Sequence, residues 1–146
     1  MKHDSSFVAG PASLVVVNWA SDKDIELLKE VAVERDPFNR DARKAAFRRL
    51  FELEAKELYP RLLEELDDSS FRHELKKILI AAGQKLEQPI LDNYDRLRES
   101  SARRECIEIL GKIGTEASTP FLQKLFGDRR LRSYAGRATD EIQKRK

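Results

Sequence analysis

The sequence predicts an all-α protein, an α-solenoid of about eight helices stacked as antiparallel pairs. Three observations carry that prediction. From each of Arg43, Arg72 and Arg103, apolar or small residues stand three, seven and ten positions on: Ala46, Leu50 and Leu53; Leu75, Leu79 and Ala82; Cys106, Leu110 and Ile113. Those offsets share one face of a helix with 3.6 residues per turn. Three of the five prolines, Pro60, Pro89 and Pro120, stand seventeen positions after the same arginines, and the starts are 29 and 31 residues apart. A period of that length is the mark of a helix–turn–helix repeat.

In chain order, residues 1–20 read as a leader, Met1–Gly10, followed by "PASLVVVNWA", either a first helix or an extended segment, since a short β-branched run suits both. The repeat domain covers residues 21–146. "SDKDIELLKEVAVERDP" predicts a helix: Ser21 with Asp24 forms a capping box, Ile25, Leu28 and Ala32 make a stripe, and Pro37 ends it. Units follow near 43–70, 72–101 and 103–130. In each, the helix led by arginine gives way to a turn, then to a second helix opened by the proline, whose missing N–H costs nothing in a first turn.

The second helices carry stripes of their own: Leu62, Leu63 and Leu66; Ile90, Leu91, Tyr94 and Leu97; Phe121, Leu122, Leu125 and Phe126. Thr119 is placed to cap the helix behind it. Gly83 and Gly114, at one offset just past the first helices, suit left-handed C-caps. A half unit, 131–146, has the stripe Leu131, Tyr134, Ala135, Ala138 and Ile142. Its cationic tail, Lys144, Arg145 and Lys146, complements its own helix dipole. The residues expected in the core are Leu50, Leu53, Leu79, Leu110, Ile113, Leu122 and Leu125.

Composition bounds the function. A chain of 146 residues is long enough for one hydrophobic core. Hydrophobic residues make up 40% and charged residues 37%, the latter above the roughly 25% of an average globular protein, as suits a thin helical stack with much surface. A net charge of +2 is too small to argue for nucleic acid by itself. The single cysteine excludes an internal disulfide and fits a reducing compartment. The longest apolar run near the start, Leu14 to Val17, is too short for a membrane span or a signal-peptide core, so a cytoplasmic location is expected.

With Phe71-Arg72, Leu131-Arg132, the three prolines, Asp68 and Asp128 in place, the units resemble HEAT or HEAT-like repeats, including the short type of phycobilin lyases and many bacterial scaffold proteins. The resemblance covers residues 21–146. It implies that Asp68 with Arg72, and Asp128 with Arg132, bridge successive units. The middle junction departs, since Glu99 stands where an aspartate would precede Arg103. Two branches of the resemblance imply more specific functions. HEAT-like DNA glycosylases hold damaged DNA with basic, aromatic and acidic residues, for which Trp19, Tyr94 and the arginines would serve here. Phycobilin lyases of this type act with a partner subunit.

No catalytic, cofactor-binding or metal-binding residue emerges from the chain. His3 and His73 are seventy residues apart, one in the leader and one on a helix as a solvated residue. Cys106 occupies the slot held elsewhere by Ala46, Leu75 and Ala135, which makes it a small core thiol. There is no glycine-rich phosphate loop and no metal-ligand spacing. The acidic pairs Glu64-Glu65 and Asp67-Asp68 read as solvated helix faces.

The function expected is therefore a non-catalytic protein–protein interaction module or scaffold. Its candidate partner-binding residues lie on the ridge of second helices (Arg61, Glu64 and Glu65; Asp92, Asn93 and Arg96; Gln123 and Lys124) or on a basic C-terminal edge (Arg129, Arg130, Tyr134 and Arg137). Charge is uneven along the chain. Residues 52–68 hold seven acids against Lys56 and Arg61, a net of −5, and residues 103–146 hold eleven bases against six acids, a net of +5. The partners expected are an unidentified protein, a second copy of the chain, or, as the alternative class, nucleic acid at the basic end.

Overall fold

The computed structural model describes residues 20–146, and among these the regular structure is entirely helical, with no strand. Eight α-helices are present: α1 (Ile25–Val33), α2 (Arg40–Glu52), α3 (Tyr59–Glu64), α4 (Arg72–Ala82), α5 (Glu87–Asn93), α6 (Ser100–Ile113), α7 (Thr119–Lys124) and α8 (Arg132–Lys144). Short 3-10 turns open or extend them. The leader, "PASLVVVNWA" up to Trp19, and His3 lie outside the described residues. The chain forms two compact units, one ending at Leu58 and one comprising Tyr59–Lys146.

In the first unit α1 packs on α2. The predicted capping box is present: the Ser21 N–H donates to the Asp24 carboxylate at 2.9 Å, and the Ser21 hydroxyl accepts from Lys23 N–H. That backbone hydrogen bond, with the Ser21 hydroxyl, holds the Asp24 carboxyl below its ordinary value of 3.8. Leu28, Val31, Ala32, Ala46, Phe47, Leu50 and Phe51 are buried. The buried Arg43 donates its Nε–H to the Ala32 carbonyl at 2.8 Å, satisfying a group exposed by the end of α1. Leu53 departs from expectation and is only half-buried. α2 stops at Glu52, and the chain turns through Glu54 at φ 52°, so the tenth position no longer shares the helical face.

The second unit holds the regular pattern. The first-type helices α4, α6 and α8 pack in succession, the second-type helix α5 packs on α3, and each of α5 and α7 also meets the first-type helix that follows it. Leu75, Leu79, Ile107, Ile109 and Leu110 are fully buried along the row of first helices, and Leu62, Leu66, Leu86, Ile90 and Leu122 beneath the second. The close approach of α6 to α8 depends on small residues. A Cβ added to Gly111 would stand 3.0 Å from the Cα of Ala138, tighter than ordinary packing allows.

The recurring arginines have a common task. Arg72 Nε donates to the Leu66 carbonyl at 2.6 Å, Arg103 Nε to Leu97 at 3.0 Å and Arg132 Nε to Phe126 at 2.8 Å. Each acceptor lies six residues back, where a second helix tightens into its 3-10 turn and leaves carbonyls without intrahelical partners. Asp68 and Asp128 accept through Oδ1 from the N–H two residues on, Ser70 at 3.1 Å and Arg130 at 2.8 Å, and so shape the turn into the next helix. The carboxylate that reaches the next pair is Asp67, which accepts from the N–H groups of Arg98 at 3.1 Å and Glu99 at 2.9 Å.

Three capping assignments also change. Gly83 has the positive φ expected, 81°, but at ψ −159° it is not the αL cap, and Gly114 is extended at φ −70°, ψ 160°. Thr119 is the first residue of α7, not its cap; the capping hydroxyl belongs to Thr115, which accepts from Ala117 N–H at 3.2 Å. The reason is that the helix behind Pro120 begins a turn early, as the 3-10 segment Glu116–Ser118. The prolines accordingly sit at the second or third helical position, Pro60 and Pro120 at the second and Pro89 at the third, still within the first turn.

Candidate partner-binding surface

The predicted ridge is largely self-satisfied. Arg61 is exposed but pairs with Glu65 at 2.6 Å and Glu64 at 3.8 Å, and Arg96 pairs with Glu64 at 3.7 Å. Asp92 is exposed and accepts from the Gln88 amide at 2.7 Å. Two ridge residues are corrected. Glu65 is 0% exposed, because it holds the inward position that Tyr94 takes in the following pair, and Arg61 supplies its counter-charge. Asn93 is 9% exposed, its amide donating to the Pro89 carbonyl at 2.8 Å. Gln123 and Lys124 are exposed, as expected.

The C-terminal edge differs. Arg129, Arg130 and Arg137 are exposed, and none of them, nor Lys124 or Lys144, forms an ion pair among the described residues. Tyr134 is half-buried between two guanidiniums. Arg104 Cζ lies 5.7 Å and Arg137 Cζ 5.8 Å from its ring centroid, both within cation–π range. Arg104 also donates to the Tyr134 hydroxyl at 3.3 Å. A cleft of about 250 Å³ opens beside this group, lined by Lys76, Glu108, Lys112, Arg137 and Glu141 among others. Its charges alternate and pair: Lys76 with Glu105 at 2.7 Å and with Glu108, and Lys112 with Glu141 at 2.9 Å. Burial works to lower the Lys76 pKa, but hydrogen bonds to Glu105 and Glu108 outweigh it, and the ammonium is held above its ordinary 10.5.

Arg104 escaped the sequence reading, although its separation of thirty residues from Tyr134 is one repeat, the spacing at which first helices touch. Two residues of the cationic tail do more than complement their own helix dipole. Arg145 donates to the carbonyls of Gly111 and, at 2.6 Å, Gly114, and Lys146 pairs with Glu116. The tail therefore closes the end of α6 as well as of its own helix.

His73 is exposed, and Cys106 is a free thiol buried in α6. Burial pushes the Cys106 pKa from 9.0 up to about 12, and burial likewise pushes that of Tyr94 from 10.0 up to about 12. Both groups stay neutral in the native protein where an unfolded chain would ionise. Stability they contribute is intact below pH 9 and is lost as pH rises toward 12. Wild-type protein is expected to weaken steadily in urea melts across that range, by about 1.4 kcal/mol per pH unit for a single such group, with a shallower fall in Cys106→Ala. The same variant is expected to fold normally at pH 7, and the wild-type thiol to react with a labelling reagent only on the timescale of unfolding.

Compared with protein-family models, curated proteins and solved structures, the chain has no match. Among the described residues no helix is long and apolar enough to cross a membrane.

Proposed function

We propose that this chain is a non-catalytic α-solenoid interaction module of the HEAT-like kind, which captures an acidic protein partner on its basic C-terminal edge. The solenoid reading is supported by links that recur at one-repeat spacing within the second unit: Asp67 to Arg98 and Glu99, Glu87 to Thr115 and Ser118, and Arg145 to Gly111 and Gly114. The observation that carries the binding reading is the contrast between the two surfaces. The ridge charges Arg61, Glu64, Glu65, Asp92 and Arg96 find partners within the chain, whereas Lys124 at the end of the ridge and Arg129, Arg130, Arg137 and Lys144 beyond it offer cations with no carboxylate partner among the described residues. Such cations attract acidic partners at long range and set orientation on docking.

The test is a tagged pull-down from native lysate, with and without nuclease. Arg129, Arg130, Arg137 and Lys144 are replaced together by glutamate, and Arg145 and Lys146 are left in place because both are engaged within the fold. Capture of protein is expected to disappear while the circular dichroism spectrum stays unchanged. Undiminished capture would move the binding surface to the ridge of Arg61, Asp92, Arg96 and Gln123. Capture that vanishes with nuclease would favour the nucleic-acid alternative, whose binding falls steeply with salt.

A further inference from the structure

One apolar face of the second unit is left uncovered. Phe121 covers the ring of Tyr94 edge-on at a centroid distance of 4.9 Å, so Tyr94 is 4% exposed and Ile90 beside it 1%. Phe121 and Leu125 occupy the same two offsets in the next pair, eighteen and twenty-two residues after the leading arginine, yet both are only half-buried. Phe126 next to them is 37% exposed, and Phe38 is the only other large hydrophobic residue found exposed among the described residues. Nothing among the described residues buries Phe121 and Leu125 as Phe121 buries Tyr94. Lys124, beside Leu125 in the chain, and Arg129 and Arg130, in the turn that follows, are exposed and without ion pairs among the described residues.

We propose that the α7 face is a docking groove for a single amphipathic helix of the partner, with its apolar stripe on Phe121, Leu125 and Phe126 and acidic residues on its flanks. This rests on the reading of the chain as an interaction module and names the partner's chemistry. A helix is the occupant because one pair of second-type helices in this unit already packs side by side, α5 on α3, and the apolar face of α7 would receive another helix in the same manner. An amphipathic helix reads such a groove through apolar residues at i, i+3, i+4 and i+7. Acidic flanks follow from charge complementarity with three cations that meet no carboxylate among the described residues.

The experiment uses a display library of randomised helical peptides, selected on the full chain, with the enriched peptides then measured by fluorescence anisotropy. Enriched sequences are expected to share the i, i+3, i+4, i+7 apolar stripe flanked by Asp and Glu. Phe126→Asp, at an exposed site that leaves the core untouched, is expected to weaken them by about tenfold or more. Arg129→Glu with Arg130→Glu should also weaken them, and added salt should weaken wild-type binding. The proposal is overturned if nothing is enriched, if the enriched peptides lack the helical stripe, or if Phe126→Asp leaves affinity unchanged. Binding that responds to the arginine reversals but not to Phe126→Asp would overturn the groove and leave the basic edge standing. Self-association of the chain that Phe126→Asp abolishes, with no peptide enriched, would make a second copy the occupant and overturn the proposal in that way.

Discussion

Leu110→Ala is expected to lower the free energy of unfolding by about 2–5 kcal/mol. Leu110 is 0% exposed in α6, the helix that meets α4 on one side and α8 on the other. The variant loses the transfer free energy of its buried methyl groups and leaves a cavity that both neighbours would have to move to fill. They are not free to move. Gly111 and Ala138 already set α6 against α8 at the limit of close approach, and the Lys76 ammonium ties α4 to Glu105 and Glu108. The cost should therefore fall toward the upper part of the range. Urea melts followed by circular dichroism check it: the midpoint should drop while the slope with denaturant stays constant. A loss below about 1 kcal/mol would show that the first-helix row relaxes around the site and is looser than its packing indicates.

Glu87→Ala is expected to cost about 3 kcal/mol, far more than Glu87→Gln. Glu87 is 7% exposed in the first turn of α5. Its Oε1 accepts from Thr115 N–H at 2.7 Å and from the hydroxyls of Ser118 at 2.6 Å and Thr115 at 3.1 Å, while Oε2 lies 3.0 Å from the Thr115 hydroxyl. Hydrogen bonds to a charged acceptor contribute about 1.5–3 kcal/mol, and a buried donor stranded by truncation costs a further 1–3 kcal/mol, part of which the neighbouring hydroxyls recover by turning. Alanine strands Thr115 N–H and the fully buried Ser118 hydroxyl together. Glutamine retains one acceptor oxygen and should cost about 1 kcal/mol. Equal losses for the two variants in urea melts would show that the carboxylate charge, and not the hydrogen bonds, holds Thr115 in place.

Glu87 also marks where sequence reading stops. Nothing in "GQKLEQPILDNY" distinguishes Glu87 from a solvated helix residue, because its partners stand twenty-eight and thirty-one residues away. Glu65 and Asn93 are misjudged for a different reason. Each carries a polar type that argues for exposure, and each is buried because a side chain one turn away, Arg61, or a carbonyl one turn back, Pro89, supplies its partner. Phe121, Leu125 and Phe126 were assigned to an apolar stripe from their spacing, but spacing cannot say that another helix is present to cover it.

What the sequence determined by itself is local and periodic. Apolar offsets of three, seven and ten, a proline at seventeen and an arginine every 29 to 31 residues specify paired helices, since helix periodicity and proline's lost N–H act within a few residues of chain. The burial of Leu50, Leu79, Leu110, Ile113 and Leu122, and of Cys106, follows from that pattern alone. Tertiary structure decided which charges are engaged within the fold and which are left in solvent. The guanidiniums of Arg72, Arg103 and Arg132 turned back to close helix ends, Arg145 went to the end of α6, and Arg129, Arg130 and Arg137 were left in solvent without ion pairs among the described residues. The physical reason is that a guanidinium's partner depends on which carbonyl or carboxylate lies within about 3 Å of it, a distance fixed by how the chain turns between helices and, for Arg145, by helices a whole repeat apart.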